Sequence, residues 1–236
     1  MIAINVSPTS ETTYSLDDLF PTNATTVVGG TAAAADEIRL WNGEGYRYFF
    51  RFYKTKGTSG GIDNKLKCGH WVEDLSDGSY PMNTGVVKAG DAIFYVNKSE
   101  KDTQVLTIPG QVPHEAVNTL QGGYNLVGVG FPAQWNPNDC GTNFWMNTAY
   151  TAGGTAAASD QIYSWDKTSQ TYRKFFLFYK TKGTSGGVSN KDKCYKWVED
   201  IDPDFPVLEE KFDVGDGFFY IKQKPGEVEF KPGLKL

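Results

Sequence analysis

Two glycine-containing loops hold the residues whose spacing most directly suggests chemistry. The segment from Lys54 to Gly61 reads KTKGTSGG, and the same eight letters return from Lys180 to Gly187. Glycine backbone amides flanked by lysines can cradle an anion, which makes Lys56 and Lys182 candidate binding residues. A P-loop is excluded because no Gly-Lys-Ser/Thr follows. The alternative is a solvated hairpin turn whose lysines protect an edge strand.

Two tryptophans are the second candidate for binding. Trp71 and Trp197 are predicted on a strand face opposite Cys68 and Cys194. An exposed indole there could stack on a sugar ring. The competing interpretation is packing between sheets or between repeats, because tryptophan buries a large area and needs one partner for its N–H.

The acidic pairs do not have the pattern of a catalytic pair. Glu73-Asp74 and Glu199-Asp200 are neighbours in sequence, and adjacent strand residues point to opposite faces, so they cannot flank one bond as glycosidase carboxylates must. Asp36 and Asp160 lack the DxDxDG spacing of a calcium loop and are expected to cap or turn the chain.

Histidine and cysteine are too scarce for most metal or nucleophilic chemistry. The two histidines are His70 and His114, and no HxH, HExxH or CxxC occurs, which disfavours zinc sites and catalytic triads. We therefore expect no catalytic residue, no metal and no cofactor. The three cysteines are no disulfide framework, and we predict three free thiols: Cys68 and Cys194 buried, and Cys140 reactive in a polar loop.

Composition bounds the function classes. The formal net charge of −5 argues against general nucleic-acid binding. No apolar run approaches the length needed to cross a bilayer, so no membrane span is predicted.

An internal repeat organises the chain. Residues 29–41 return at 153–165 with 9 of 13 identities, and residues 49–74 return at 175–200 with 20 of 26. Gly90 to Val96 matches Gly215 to Ile221, and Met1 to Val6 fits Tyr124 to Val129 in apolar pattern. The repeat predicts two modules, 1–117 and 118–236.

Each module is predicted to be all-β. Aromatic runs bounded by glycine, such as Tyr46 to Tyr53, indicate strands, and Lys65 to Asp74 alternates as the second strand of a hairpin. The Ala-rich stretch after Gly30 is too short for more than one helical turn. The predicted architecture is two tandem copies of a small β-sandwich or barrel related by a pseudo-twofold axis, with no helix longer than about three turns.

Three motifs carry a resemblance to a known group. Gly123 to Gly128 (GYNLVG), Ile162 to Asp166 (IYSWD) and Val214 to Phe219 (VGDGFF) resemble β-rich repeat modules of secreted and cell-surface proteins from Bacteroidetes and Verrucomicrobia-like bacteria. The first copy departs from the pattern, with Asn42 after Trp41 and Ala92 in place of the second glycine. The resemblance implies a secreted, non-catalytic module.

Three function hypotheses follow. The first is a non-catalytic structural or adhesive protein, secreted or displayed on a cell surface, with a glycan or another surface protein as partner. The second is a carbohydrate-binding module, and the third is an enzyme of unknown class. A cytoplasmic location is the alternative to a secreted one, since no signal peptide is recognised at Met1.

Overall fold

The protein is built mostly from short antiparallel β-strands. The computed structural model describes residues 1–4, 13–21, 26–54, 61–82, 84–99, 106–108, 110–113, 117–180, 187–201 and 204–231, without the side chains of 61–63 and 187–189. Within these ranges the longest helices have seven residues, which confirms the prediction of a mainly β fold without long helices. None of the described helices is long and apolar enough to cross a membrane.

One five-stranded antiparallel sheet is formed by the first half of the chain. Its strands are β1 (Ile2–Ala3), β3 (Glu37–Trp41), β4 (Tyr46–Arg51), β5 (Trp71–Glu73) and β7 (Ala92–Val96). Their spatial order is β1-β7-β3-β4-β5. Aromatic and β-branched side chains dominate β4 and β7, as a pleated, half-buried surface favours.

A second five-stranded sheet is formed by the second half, in the order β9-β13-β10-β11-β12. Its strands are β9 (Gly123–Gly128), β10 (Gln161–Asp166), β11 (Thr171–Phe178), β12 (Lys196–Glu199) and β13 (Gly217–Lys222). Strands β10, β11 and β12 carry the repeat counterparts of β3, β4 and β5 and pair in the same order. Neither sheet closes into a barrel in the described residues.

A two-stranded ladder lies over the core of each sheet. Strands β2 (Tyr14–Ser15) and β6 (Val86–Val87) pair in the first half, and β8 (Asn118–Leu120) and β14 (Val228–Phe230) pair in the second. Tyr14 and Val87 share a buried cluster with Phe49, whereas Leu120 and Phe230 share one with Phe175. Each half therefore has two layers around one main core, as a sandwich does.

Both faces of each sheet are partly buried. In the first sheet Phe49 and Trp71 belong to the main core, while the alternating residues Phe50, Phe52 and Val72 form a smaller cluster on the other face. The second sheet repeats this division, with Phe176, Phe178 and Val198 in the smaller cluster. Strands buried on both faces read as continuous apolar runs, which explains the phenylalanine-rich segments of β4 and β11.

The hairpin predicted over Lys65 to Asp74 is wrong in its first part. Helix α2 covers Gly61–Lys67, and only Trp71–Glu73 forms a strand; α4 covers Gly187–Lys193 in the second half. Gly69 follows α2 with φ +82°, the left-handed conformation that commonly ends a helix. Alternation over a few residues could not reveal this, because the same letters fit two turns of helix. The remaining short helices are α1 (Leu16–Leu19) and α3 (Thr142–Trp145).

The cysteines are free, as predicted, but their predicted burial is wrong. Cys68, Cys140 and Cys194 are all partly exposed. Cys68 and Cys194 follow α2 and α4 instead of lying on strands, and their Sγ atoms donate to the carbonyl oxygens of Asn64 (3.1 Å) and Asn190 (3.3 Å). The thiols of Cys68 and Cys194 thus cap the helix ends. Because all three thiols are partly exposed, we do not expect a labelling reagent to select Cys140.

The first strands of the two repeats, β1 and β9, correspond with an offset two residues away from the predicted alignment of Met1 with Tyr124. Ala3 pairs with Ala92 and Gly128 pairs with Gly217, and Ala92 corresponds to Gly217 in the repeat. Ala3 therefore corresponds to Gly128, and Met1 to Leu126. A strand pattern has a period of two, so a shift of two residues leaves it unchanged and the sequence could not fix the offset.

The two sheets meet through the faces opposite their main cores. A Cβ atom built on Gly128 would lie 2.3 Å from the Cβ of Ala3, and one built on Gly217 would lie 2.7 Å from the Cβ of Ala92. Real Cβ atoms do not approach so closely. Glycine is therefore needed at both positions because the opposing alanines are already in contact distance.

Backbone hydrogen bonds join the sheets beside these small residues. The Ala3 N–H donates to the Gly215 carbonyl oxygen at 2.8 Å, and the Gly128 N–H donates to the Gly90 carbonyl oxygen at 2.7 Å. Asp91 and Val127 form an antiparallel bridge. These bonds fix how the halves sit on one another.

We expect Gly128→Ala to lower the free energy of unfolding by about 1–3 kcal/mol, because the added methyl group overpacks the contact with Ala3. Ala3→Gly in the same chain removes the opposing methyl group and should restore most of the loss. The free energies are measured by urea denaturation.

The control for this cycle is Gly45→Ala, since a Cβ at Gly45 meets no atom within 4 Å. A loss in Gly128→Ala that Ala3→Gly does not relieve would contradict the assigned contact.

Candidate functional site

The tryptophans predicted to stack on sugars are in the core, so that prediction is wrong. Trp71 is 2% exposed and Trp197 is 0% exposed. The Trp71 indole N–H donates to the Phe20 carbonyl oxygen at 3.0 Å, and Trp197 packs edge-on against Trp145 at 5.2 Å. The alternative interpretation, packing between layers, describes both residues.

The predicted anion-binding lysines, Lys56 and Lys182, lie outside the described residues. Of the lysines near these loops, Lys67 donates to the Ser79 carbonyl oxygen at 2.8 Å, and Lys193 donates to that of Asp204 at 2.5 Å. These two ammonium groups hold the chain that follows each helix. An anion site in the KTKGTSGG loops stays a prediction.

The acidic pairs are divided between structure and surface. Glu73 accepts two hydrogen bonds from Arg47, both 2.8 Å, and one from Thr84 at 2.7 Å. The bond from Arg47 is the main reason that the pKa of Glu73 lies below its usual range. Glu199 accepts the same two-pronged bond from Arg173. Such bidentate pairs fix strand geometry.

Asp36 and Asp160 hold the loops, in line with a role in turning the chain. Asp160 is fully buried and accepts hydrogen bonds from the Tyr220 hydroxyl at 2.9 Å, the Gln223 N–H at 2.8 Å and the Thr151 N–H at 3.2 Å. Burial raises the pKa of Asp160, and these bonds oppose the rise. Asp36 is also fully buried and makes the matching set with Tyr95, Lys98 and Val27.

A buried ion pair distinguishes the first half from the second. Arg51 is 3% exposed and donates to Asp17 at 2.7 Å, and Asp17 also accepts from the Trp71 N–H at 3.0 Å and contacts His70. In the second half Asn138 accepts from the Trp197 N–H at 2.8 Å, and Leu177 occupies the position of Arg51. The charged pair is replaced there by a neutral pair.

No group of three His, Cys, Asp or Glu side chains that could hold a metal ion occurs among the described residues. His70 contacts Asp17 at 2.9 Å, and His114 lies outside the described ranges.

A layer of aromatic rings fills the space between the sheets. Phe219 contacts Trp41, Phe94, Tyr124 and Tyr172 with ring centroids 6.1–6.3 Å apart. Burial, with a smaller contribution from Tyr172, raises the pKa of Tyr46 to about 12. The rings are only partly buried, so this layer is both interface and surface.

A groove of about 210 Å³ opens at one end of this aromatic layer; we call it the inter-sheet groove. Both halves line it. The first half contributes Trp41, Asn42, Gly43, Lys88 and Asp91, and the second contributes Asn118, Thr119, Gln121 and Tyr124–Val127.

Asp91 is the carboxylate of the groove. Its Oδ2 accepts the Lys88 N–H at 2.9 Å, and burial raises its pKa above the usual range. Among the described residues Asp91 makes no ion pair, and its Oδ1 has no hydrogen-bond donor. The groove therefore contains a partly desolvated acceptor.

A second cavity, of about 270 Å³, lies at the β10–β11 hairpin. It is lined by the repeat counterparts Trp165 and Asp216, but its charges are compensated: Lys167 pairs with Asp216 at 3.0 Å, and Arg173 pairs with Glu199 and Glu210. Lys167 follows Trp165 by two residues. The equivalent position in the first half, two residues after Trp41, is Gly43. In the first half the nearby cation is Lys88 instead, whose charge opposes the rise in the pKa of Asp91 although the two side chains form no ion pair.

Sequence reasoning missed the inter-sheet groove. Trp41 and Asp91 belong to repeated blocks that indicate a strand and a turn, and no spacing indicates that Tyr124 of the other half lies beside them. One signal in the sequence could have pointed to the groove: the repeat keeps the aspartate (Asp91 and Asp216) but has Gly43 in the first copy where the second copy has Lys167.

We expect the partly exposed tryptophans to carry most of the fluorescence that iodide can quench. Trp71, Trp135, Trp145 and Trp197 are at most 2% exposed, whereas Trp41 and Trp165 are partly exposed. Replacing the latter two by phenylalanine should remove most of the quenchable emission. Trp71→Phe is the control, and loss of quenching in it would contradict the buried assignment.

Removal of the Asp160 carboxylate should destabilise the protein strongly. Asp160→Ala leaves two backbone N–H groups and the Tyr220 hydroxyl without their acceptor, and we expect a loss of about 3 kcal/mol or more in the free energy of unfolding. Tyr220→Phe should cost about 1 kcal/mol, and the exposed Asp74→Asn should stay within about 0.5 kcal/mol. Equal effects of Asp160→Ala and Asp74→Asn in urea denaturation would refute the role.

Comparison with known proteins assigns no family to this chain. No family model, no curated protein and no solved structure matches it.

Proposed function

We propose that this chain is a non-catalytic structural or adhesive protein, secreted or displayed at a cell surface. The observation that carries the proposal is the use of its buried polar side chains. Asp36, Asp160 and Glu73 are bound to backbone amides, tyrosines or arginine. A catalytic acid or base must reach the proton that it transfers, and these carboxylates are directed at groups of the fold instead.

We further propose that the two repeats are tandem modules, 1–117 and 118–236, related by a pseudo-twofold axis. Equivalent residues face one another: Ala3 meets Gly128, Ala92 meets Gly217, and Phe94 meets Phe219. The hydrogen bond from Ala3 to Gly215 also has its counterpart in the bond from Gly128 to Gly90. Reciprocal contacts are the signature of an isologous interface.

This arrangement suits a structural or adhesive role. The modules are joined by close backbone contact and by an aromatic layer, and the central strands of each sheet are paired on both sides. A rigid pair presents its exposed side chains at fixed positions, and ordered presentation reduces the entropy lost on binding.

Carbohydrate binding is a second candidate function. The observation that favours it is the inter-sheet groove, which combines aromatic rings with a carboxylate, Asp91, that forms no ion pair among the described residues. It does not use the predicted Trp71 and Trp197.

The proposed function is tested by coating beads with the full chain and measuring their retention under flow on polysaccharide, protein and bare surfaces. We expect retention on at least one biological surface several-fold above that of beads coated with the heat-unfolded chain. Equal retention of the two bead types would contradict an adhesive role.

A panel of hydrolase and transferase substrates tests the non-catalytic assignment with the same preparation. We expect no turnover above the heat-unfolded control. Turnover that Glu73→Gln or Asp160→Asn abolishes without unfolding the chain would overturn it.

A further inference from the structure

One aspartate of the repeat has different surroundings in the two halves. Asp216 is paired with Lys167 at 3.0 Å, whereas its counterpart Asp91 faces the inter-sheet groove with Gly43 at the corresponding place. The Lys88 N–H donates to Oδ2 of Asp91, but Oδ1 has no hydrogen-bond donor among the described residues, and a partly desolvated acceptor is unfavourable until a donor reaches it. The difference therefore points to a ligand that supplies a donor at Asp91.

The walls of the groove are held in place before any ligand arrives. The Trp41 indole N–H donates to the Tyr124 carbonyl oxygen at 2.8 Å, and its ring packs edge-on against Tyr46 at 5.0 Å. Asn118 donates to the Gly128 carbonyl oxygen at 2.9 Å, and Asn125 bonds to the backbone around it. These amides are used by the fold, so they shape the groove instead of binding in it.

Other groups in the groove remain available. Tyr124 is 51% exposed, and its hydroxyl has no partner among the described residues. Thr119 is exposed beside it. A half-exposed aromatic ring next to a carboxylate and a hydroxyl offers an apolar surface and directional acceptors together.

The volume limits the ligand. Sites for drug-sized molecules have volumes of roughly 300–1,000 Å³, so a groove of about 210 Å³ fits a single six-membered ring with its substituents. The groove is lined by one cation, Lys88, and one anion, Asp91, so its formal charges cancel and a neutral ligand is favoured over a phosphate, a sulfate or an acidic sugar. A ring with several hydroxyl groups and apolar C–H faces matches both the acceptor and the aromatic surface.

We propose that the inter-sheet groove binds one pyranose unit of a neutral glycan, with Asp91 accepting hydrogen bonds from sugar hydroxyls and Tyr124 contacting the ring. This inference rests on the proposed non-catalytic binding role and assigns it a site. Hydroxyl-to-carboxylate bonds are charge-assisted and stronger than neutral ones, so Asp91 is the residue on which affinity depends most.

The experiment titrates the full chain with methyl glycosides of glucose, galactose, mannose and N-acetylglucosamine. The signal followed is the Trp41 indole N–H in ¹⁵N-correlated NMR, assigned with Trp41→Phe. We expect at least one glycoside to shift this signal and to saturate it. Asp91→Asn should weaken that binding at least tenfold, and Tyr124→Ala should weaken it severalfold.

The matched control is Asp216→Asn, which alters the equivalent aspartate in the hairpin cavity and should leave binding unchanged. Thermal unfolding of each variant must stay near that of the parent, and Asp91→Glu serves as a second variant if Asp91→Asn unfolds. We expect Asp91→Glu to weaken binding as well, because the longer side chain displaces the acceptor.

Three outcomes would overturn the site: no glycoside shifts the Trp41 signal, Asp91→Asn binds as tightly as the parent, or methylamine shifts the signal while no neutral glycoside does. Bead retention distinguishes this failure from failure of the proposed function. Adhesion that persists without glycoside binding rejects the groove alone, whereas loss of both rejects the binding role.

Discussion

The contact of Ala3 with Gly128, and of Ala92 with Gly217, is the constraint on which the rest of the arrangement depends. Only hydrogen at the glycine positions lets the two sheets approach closely enough for backbone hydrogen bonds between them. That approach brings Phe219 among the rings of the first half and places Tyr124 beside Trp41. The inter-sheet groove thus depends on glycine, which has no Cβ atom, at positions 128 and 217. Glycine commonly has this role at close contacts, because it has no Cβ atom to keep the two backbones apart.

The polar interior complements this contact. Asp160 and Asp36 each collect two backbone amides and a tyrosine hydroxyl, so a single side chain ties two loops to one strand. Buried donors would otherwise remain unsatisfied in loops too short to pair with each other. The fold therefore depends on these two aspartates as structural ties, in line with the role in turning the chain that the sequence predicts for them.

Much of the fold was predictable, for physical reasons that differ between elements. The aromatic runs of β4 and β11 indicate strands because few other structures bury side chains on both faces, and near-identity of the central blocks predicts matching sheet order. The helix at Gly61–Lys67 was not predictable from alternation, and the offset of β1 is invisible to a period-two pattern. The groove lay beyond reach because Trp41, Asp91 and Tyr124 meet only through packing of one half on the other. Burial of Trp71 and Trp197 was an open alternative, which the sequence could not decide without the second layer.

The replacement of the Arg51–Asp17 pair by Leu177 and Asn138 limits how the two halves can evolve. Repeated gene segments recombine, and the blocks containing Arg51 and Leu177 are similar enough to be exchanged. A hybrid with Arg51 opposite Asn138 would bury a guanidinium without its counter-ion, at a cost of about 3–5 kcal/mol. Such a loss is a large fraction of the stability of an ordinary domain. We therefore expect selection against such hybrids to keep the two copies distinct at this position.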